Sequence, residues 1–315
     1  MSDEAIPIAT ARSARETGLG ADALARAARR GELARLRRGA YAAADRLTAA
    51  DAAARHRLLI RAARLAADEE PVFSHESAAA LHGIPILGEW PRTVHTTVVP
   101  GHGGSSGAVM RTQRRLAPED VVVTASGALA TSPVRTAIDL AASRSLLGGI
   151  VAISHVRATG VPPSAFADAL GRAGAMNGIG RARLALARSV AGAESVLEVL
   201  VVVRCQDYGF AVPELQREVR GTDGRNYRVD FAWLDGRVFG EADGRRKYQD
   251  PELLAGRSAE EVVWAEKRRE DAIRFACERF LRLGWEDAWR GVGLARLLDA
   301  AGVPRVGRRL AALTF

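Results

Sequence analysis

The sequence predicts an α/β (α+β) protein with three domains, at residues 1–45, 46–192 and 193–315. Two short helical segments around a glycine turn open the chain, and helical and strand segments alternate through its middle. Two runs rich in aromatic and β-branched residues flank Asp235-Gly236, as they do in a β-hairpin. With 315 residues, 48% of them hydrophobic, the chain is long enough to build several hydrophobic cores.

Arginine dominates the charge of the chain. The formal net charge is +8, which favours an anionic partner, and nucleic acid is the first candidate. Of the 45 basic residues only Lys247 and Lys267 are lysines. A lysine beside a polar site is therefore informative, because its compact ammonium group differs from the planar fork of arginine.

The cysteines and the hydropathy pattern indicate the compartment. Cys205 and Cys277 lie far apart in apolar stretches and form no Cys-x-x-Cys motif, which predicts buried thiols in a reducing cytoplasm. No segment reaches the roughly 18 consecutive apolar residues that a membrane-spanning helix needs. We therefore expect a soluble, cytoplasmic protein without membrane contact.

The first domain is predicted to be a winged helix. Residues 9–17 and 21–30 have helical patterns separated by a glycine-rich turn, and Gly31 ends the second helix. This is helix-turn-helix spacing. The following segment, 32–43, has a turn at Gly39 and suits the hairpin wing of such a domain.

Positive charge is concentrated in this first domain, which has nine arginines and only four acidic residues between Arg12 and Arg46. Arginines on a recognition helix contact DNA, and those of a wing meet phosphate. We expect DNA contacts from the arginines of the second helix and the wing, namely Arg26, Arg29, Arg30, Arg35, Arg37 and Arg38. The alternative is a solvated pair of helices in a protein that is rich in arginine throughout.

The middle domain is predicted to mix helices with short strands. One amphipathic helix is expected from Thr48 to Ala67 and another from Ser74 to His82. Strands are expected at residues 93–100 and 121–124, and Ser132-Pro133 begins a further helix.

The polar residues of the middle domain favour structural roles. Arg135 and Asp139 form an i,i+4 ion pair, and His75 and His82 lie seven residues apart, too far for paired metal ligands at i,i+4. The glycine-rich loop at residues 101–107 lacks a Gly-Lys-Ser/Thr ending, so it is not a nucleotide-binding loop.

The hairpin of the third domain sets two carboxylates opposite each other. Counting back from the Asp235-Gly236 turn gives the cross-strand pairs Ala232–Phe239, Asp230–Glu241 and Arg228–Asp243. At a Cβ separation of roughly 5 Å and an effective dielectric constant near 20, the repulsion between the two carboxylates is about 3 kcal/mol. A divalent metal ion or Lys247 would relieve it; alternatively, one carboxylate turns into solvent or takes up a proton.

The elements around this hairpin complete the third domain. Glu194 to Tyr208 is predicted to be a helix, although its run of three valines at 201–203 also favours a strand. A strand at residues 217–220 precedes the hairpin, and a helix from Ser258 to about residue 283 follows it. A final strand after Gly284-Trp285 would give the order αβββαβ.

The first two domains resemble AbiEi-type antitoxins over roughly residues 10 to 190. The motifs that carry the resemblance are Arg30-Gly31 with Arg37-Arg38-Gly39-Ala40-Tyr41, then Ser74-His75-Glu76-Ser77-Ala78-Ala79, then Thr131-Ser132-Pro133 with Arg135-Thr136 and Asp139. The resemblance implies a winged helix joined to a mixed α/β domain. It also implies repression of a type IV toxin-antitoxin operon and a cognate toxin as partner.

The third domain resembles the PD-(D/E)xK nuclease core, and more closely a family related to very-short-patch repair endonucleases, over about residues 193 to 290. The matching residues are Glu198 on the first helix, Asp230 on the second strand, Glu241 on the third and Arg269 on the following helix. The resemblance implies a restriction-endonuclease-like fold, a Mg²⁺ (or Mn²⁺) cofactor and DNA as substrate.

Family roles carry over onto these positions with two departures. Asp230 and Glu241 would hold the metal ion, Glu198 a metal-bound water, and Arg269 would contact DNA. The family lysine two residues after Glu241 is Asp243 here, and the family histidine is Lys247. Asp243 is then either a further metal ligand or the cross-strand ion-pair partner of Arg228, and Lys247 takes the role of the missing lysine in stabilising developing charge.

Two functions follow from these patterns. The leading one is a DNA-binding protein whose metal-dependent, endonuclease-like tail hydrolyses phosphodiester bonds, with Asp230, Glu241, Glu198 and Lys247 as its catalytic set. The alternative is a non-catalytic transcriptional regulator or antitoxin whose nuclease fold only binds DNA or a partner.

Overall fold

The computed structural model describes residues 6–16, 18, 21–98, 108–114, 116–243 and 259–307. It contains two compact units, one of residues 1–156 with 161–187 and the other of residues 157–160 with 188–315. The described part mixes helices with three β-sheets, which confirms the predicted α+β class. The division into three domains stays a prediction. Within the described ranges, no helix combines the length and the apolar character needed to cross a bilayer.

The chain begins with a winged helix, as predicted. Its elements are β1 (Ala9–Thr10), α1 (Ala11–Glu16), α2 (Ala21–Arg29), β2 (Leu33–Arg37) and β3 (Ala40–Ala43). The three strands form an antiparallel sheet in the order β1-β3-β2. The first helix begins at Ala11 rather than residue 9, because Ala9 and Thr10 pair with the wing strand β3 and the Thr10 hydroxyl accepts a hydrogen bond from the Ser13 amide at 3.0 Å.

A small apolar core holds the winged helix. Ile6, Ala42 and Leu58 are buried together, and Ile8 and Leu36 pack against them. Leu58 belongs to the long helix α4 (Ala52–Arg64), so the core of the winged helix extends onto the middle part of the chain. The expected single helix from Thr48 to Ala67 is instead two helices. Its two parts are α3 (Ala44–Ala49) and α4, and α4 starts where the Asp51 carboxylate accepts a hydrogen bond from the Ala54 amide at 2.7 Å.

The rest of the first unit surrounds a five-stranded sheet with strand order β6-β5-β4-β8-β7. Its strands are β4 (Val72–Phe73), β5 (Val94–Val98), β6 (Val109–Gln113), β7 (Val121–Val123) and β8 (Leu129–Thr131), with a 3-10 turn at Pro118–Asp120. Its helices are α5 (His75–His82), α6 (Pro133–Ser143), α7 (Leu146–Ala158), α8 (Pro163–Ala173) and α9 (Ile179–Ala187). The predicted helices at Ser74 and Ser132 are confirmed, with each serine at the N-cap position.

The second unit is built on a four-stranded sheet with strand order β12-β11-β10-β9. Its elements are α10 (Val196–Tyr208), β9 (Glu214–Arg220), β10 (Asn226–Trp233), β11 (Val238–Ala242), α11 (Ala259–Arg274), β12 (Arg279–Leu283), α12 (Trp285–Arg290) and α13 (Val292–Ala300). The predicted αβββαβ order is present, and the valine run belongs to helix α10. Cys205 on α10 is buried as predicted, and burial raises the pKa of its thiol to about 12, whereas Cys277 is only half-buried.

The end of the predicted αβββαβ core was placed wrongly. The helix expected to reach residue 283 ends at Arg274, and the final strand lies at Arg279–Leu283 rather than after Gly284-Trp285. Residues from Trp285 form helix α12 instead. The reason is pairing: β12 lies parallel to β11 over its whole length, so backbone hydrogen bonds to the hairpin override helix propensity.

The hairpin has the predicted register and turn. Ala232 pairs with Phe239, and the Arg237 amide donates to the Leu234 carbonyl at 3.2 Å. Asp235 (φ 54°, ψ 32°) and Gly236 (φ 90°) have the backbone angles of a type I′ turn. Both faces of the hairpin are covered, since Val229, Phe231, Ala232 and Phe239 are all buried. The carboxylates therefore lie at the edge of a core rather than on an open face.

Candidate functional site

The arginines of the winged helix fall into two groups. Arg26 and Arg29 on α2 and Arg38 at the wing turn have exposed side chains. Leu24 on α2 is buried, so this helix turns its arginines away from its apolar side. DNA contact by these three arginines stays a prediction.

The other predicted arginines already have partners in the protein. Arg30 forms a fork with Glu32, with Nε at 2.6 Å from Oε1 and Nη2 at 3.0 Å from Oε2, and this pairing raises the pKa of Arg30. Arg37 turns inward, where Nη1 donates to the Ala63 carbonyl at 3.5 Å while its buried Nε has no hydrogen-bond partner. The Nε of Arg35 donates to the Arg37 carbonyl at 3.4 Å. Arg30 and Arg35 are nevertheless exposed, whereas Arg37 is partly buried.

Asp230 and Glu241 lie next to each other across the hairpin. The last paired residues, Phe231 and Gly240, come directly before them in the ladder, and the amide of Ala242 donates to Asp230 Oδ2 at 2.8 Å. Glu241 is buried, with only 7% of its surface exposed. The predicted Asp230–Glu241 pair therefore lies one position beyond the last pair of the ladder, and its role as a site stays a prediction.

Glu198 is held by the start of its own helix. Its Oε1 accepts a hydrogen bond from the Ser195 hydroxyl at 2.7 Å, and its Oε2 accepts from the Glu194 amide at 2.9 Å. Ser195 in turn accepts from the Glu198 amide at 3.2 Å and so caps the N-terminus of α10. The Ser-x-x-Glu spacing was visible in the sequence and indicates a structural role that the nuclease resemblance concealed.

Gln216 joins the two halves of the site, and the sequence reasoning missed it. Its Nε2 donates to Glu198 Oε2 at 2.8 Å and lies 3.4 Å from Asp230 Oδ1. Its φ of 53° is in the left-handed region, which is strained for a non-glycine residue in a strand. No local sequence pattern marks Gln216. It lies opposite Asp230, between the pairs Arg217–Val229 and Leu215–Phe231 that β9 makes with β10.

Arg269 on α11 lies against Glu241. Its Nη2 is 2.7 Å from Glu241 Oε1 and donates a hydrogen bond to the Arg228 carbonyl at 2.9 Å. Glu241 Oε1 is buried and takes no well-directed hydrogen bond. Arg269 therefore offsets the negative charge of Glu241 but leaves Oε1 without a hydrogen-bond donor in good geometry. We call Glu198, Asp230 and Glu241 the carboxylate site. Arg269 contacts this site directly, which the spacing of residues in the sequence did not predict.

The remaining predicted residues lie at the rim or outside the described part. The Asp243 side chain is exposed, and its backbone amide donates to the Leu283 carbonyl at 2.9 Å. Arg228 forms its ion pair with Glu194 at 2.8 Å rather than with Asp243, because α10 brings Glu194 to the rim of the sheet. Lys247 lies outside the described residues.

The carboxylates of this site can be compared with the ligands that Mg²⁺ usually has in proteins. Among the residues that the structure describes, no group of three or more His, Cys, Asp and Glu side chains is arranged to hold a metal ion. Mg²⁺ in proteins is often held by one or two carboxylates together with water and phosphate oxygens, so Asp230 and Glu241 suffice in number. The buried Oε1 of Glu241, which lacks a directed hydrogen bond, is an acceptor that a hard cation would satisfy.

The histidines of the first unit are engaged in its packing. His75 is buried, its ring stacks on that of His95 at 4.0 Å, and its Nδ1 lies 3.1 Å from the Ser74 hydroxyl. Burial lowers the pKa of His75 to about 4. The Nε2 of His82 lies 2.7 Å from the Thr131 carbonyl. These contacts fit the structural roles predicted for both residues.

Comparison with known proteins places the first domain. Residues 3–44 match the family described as "Transcriptional regulator, AbiEi antitoxin". The chain is also 34% identical over 131 residues to uncharacterized proteins from two strains of Mycobacterium tuberculosis, across 40% of this chain. That match spans about half of each relative, 47% of its length. Residues 3–44, which include the winged helix, are therefore similar to AbiEi antitoxin transcriptional regulators.

Proposed function

We propose that this chain is a DNA-binding transcriptional regulator of the AbiEi antitoxin type, acting on a type IV toxin-antitoxin operon with a cognate toxin as partner. The observation that carries the proposal is the coincidence of two features. The residues that match the family, 3–44, are the residues that form the winged helix, and its second helix presents exposed Arg26 and Arg29.

The geometry of the winged helix supports this use. In helix-turn-helix proteins the second helix enters the major groove while neighbouring segments contact the backbone. Arg26 and Arg29 lie on α2, and Arg38 lies at the turn between the wing strands, so the helix and the wing can contact the DNA at separate places. Phosphate contacts of this kind fix the position of the protein on the duplex.

Fluorescence anisotropy with the purified full chain tests the proposal. The probes are a labelled duplex from the region upstream of its own gene and an unrelated duplex of equal length. We expect tighter binding to the upstream duplex and a loss of affinity in the Arg26→Ala/Arg29→Ala variant. Arg92→Ala/Arg183→Ala is the matched control, since both arginines are exposed in the first unit and lie outside α2. Unchanged binding by the double variant would remove the recognition-helix assignment.

A second candidate function is a metal-dependent endonuclease in the second unit, and the buried Oε1 of Glu241 beside Asp230 favours it. Asp230 and Glu241 would hold Mg²⁺ or Mn²⁺, with Asp243 as a further candidate ligand. Such an ion activates water and neutralises the scissile phosphate. Glu198 would orient Asp230 through Gln216, and Lys247 would stabilise negative charge developing on the phosphate.

Plasmid nicking separates this candidate from the first. Supercoiled plasmid is incubated with the full chain and Mg²⁺ or Mn²⁺, beside the Glu241→Ala variant and, as control, Glu214→Ala on the exposed start of β9. Nicking by the wild type and by Glu214→Ala, but not by Glu241→Ala, would support an active nuclease. If the wild type nicks the plasmid with neither metal, the endonuclease candidate is excluded and only the transcriptional-regulator proposal remains.

A further inference from the structure

In the carboxylate site of the second unit, the Arg269 side chain provides a positive charge next to Glu241. Glu241 is nine-tenths buried at the end of β11, and Arg269 Nη2 is 2.7 Å from its Oε1. The same nitrogen donates to the Arg228 carbonyl at 2.9 Å, so the guanidinium is fixed between a strand backbone and a carboxylate. Arg269 is 28% exposed, so one side of it still faces water.

The contact with Arg269 leaves the hydrogen-bonding capacity of Glu241 incompletely used. Gln216 donates to Glu198 Oε2 at 2.8 Å and lies 3.4 Å from Asp230 Oδ1, and the amide of Ala242, next to Glu241, donates to Asp230 Oδ2 at 2.8 Å. Arg269 Nη2 contacts Glu241 Oε1 at 2.7 Å, yet Oε1 takes no directed hydrogen bond from the described residues. A buried acceptor in this state favours a better-placed cation.

We infer that Arg269 occupies the cation position on Glu241, so that a divalent metal ion and the Arg269 guanidinium compete for this carboxylate. The inference rests on the carboxylate pair of the second candidate function, but not on cleavage. A guanidinium 2.7 Å from Oε1 lies where a ligated ion would have to approach, and two positive charges at that separation repel each other. The metal therefore binds Glu241 only when Arg269 moves away.

This competition gives Arg269 a positioning role. In the arrangement described, it neutralises Glu241 and ties α11 to the sheet through the Arg228 carbonyl. Removing its charge should leave a carboxylate that is buried and unpaired, and such a group binds an added cation more strongly. Replacing it with lysine keeps the charge, so metal binding should remain weak.

Isothermal titration of the full chain with Mn²⁺ tests the inference. We expect Arg269→Met to bind Mn²⁺ roughly tenfold more tightly than the wild type or better, because one competing charge is gone. Arg269→Lys should stay close to the wild type. Arg274→Met is the matched control, since Arg274 lies on the same helix and pairs with Glu270 at 2.8 Å, and it should leave the Mn²⁺ affinity unchanged.

Two further variants keep the test decisive. Arg269→Gln retains a donor for the Arg228 carbonyl and replaces Arg269→Met if that variant fails to fold. Adding Glu241→Gln to the tighter-binding variant should abolish its gain, which places the ion on this carboxylate. Equal affinity in the wild type and the uncharged variants, or no binding by them, would overturn the inference. DNA binding by the winged helix is measured separately and its outcome does not affect this one.

Discussion

A buried charge network organises the middle of the first unit at the scale of single residues. The Asp120 carboxylate lies 3.2 Å from Arg135 Nη1 and 2.9 Å from Arg172 Nη2, and Asp139 lies 3.0 Å from Arg135 Nε. Asp120, Arg135 and Asp139 are all 2% exposed or less. The predicted i,i+4 pair is therefore part of a larger network in which one guanidinium holds two carboxylates out of water.

Arg135→Met should strongly destabilise the protein. It leaves Asp139 buried without its partner and Asp120 with one, and breaking a buried pair typically costs about 3–5 kcal/mol. Urea unfolding measures the loss. Arg12→Met, which breaks the exposed helix pair with Glu16, should cost less than about 1 kcal/mol. Equal losses in the two variants would show that the network contributes no more than a surface ion pair.

His75 should make the stability of the first unit sensitive to acid. Burial lowers its pKa from 6.5 to about 4, so the folded state binds a proton less readily than the unfolded chain. Its contribution is complete above pH 6.5 and is lost as the pH falls towards 4. Between pH 7 and pH 4.5 this amounts to about 2–3 kcal/mol.

Urea unfolding at several pH values checks this expectation. The His75→Asn variant should lose stability less steeply with falling pH, since it removes the titrating group, and asparagine tolerates the left-handed φ of 51° at this position. A pH dependence identical to that of the wild type would assign the acid sensitivity to other groups.

At the scale of elements, the sequence predicted what depends on local pattern. The Asp235-Gly236 turn fixed the hairpin register because its backbone angles require those residue types. Ser74 and Ser132 marked helix starts for the same local reason. The strand at Arg279–Leu283 and the contact between Arg269 and Glu241 depend on how α11 returns across the sheet, which no local pattern encodes.

Helix packing in the first unit gives a prediction at this scale. A Cβ at Gly149 on α7 would lie 2.7 Å from the Cα of Ala141 on α6, so Gly149→Ala must push the two helices apart. We expect a loss of about 1–3 kcal/mol in urea unfolding. The neighbouring Gly148→Ala is the control. Its Cβ would meet the Ser145 hydroxyl at 3.3 Å and the Arg144 Cβ at 3.6 Å, and alanine improves helix propensity by about 1 kcal/mol.

The two glycine variants test the close approach of the helices. A loss confined to Gly149→Ala supports helix contact as the reason for glycine at this position. Equal stability of both variants would mean that α6 and α7 adjust their separation at little cost.

At the scale of the whole molecule, the arginine excess both favours DNA binding and obscures its location. The net charge of +8 attracts polyanions wherever its arginines lie. An overall charge therefore supports a DNA-binding function without identifying a surface. Only a comparison at equal net charge can show whether the winged helix carries the contacts.

Two double variants provide that comparison. Arg26→Ala/Arg29→Ala and Arg92→Ala/Arg183→Ala each remove two exposed arginines from the first unit, but only the first pair lies on α2. Each phosphate contact contributes about 0.9 to the slope of log K against log salt concentration, so the first variant should flatten that slope by about 2. Anisotropy titrations over a range of salt concentrations measure it. The second variant should keep the wild-type slope; if both flatten it equally, binding reflects total charge and the winged helix has no special part in it.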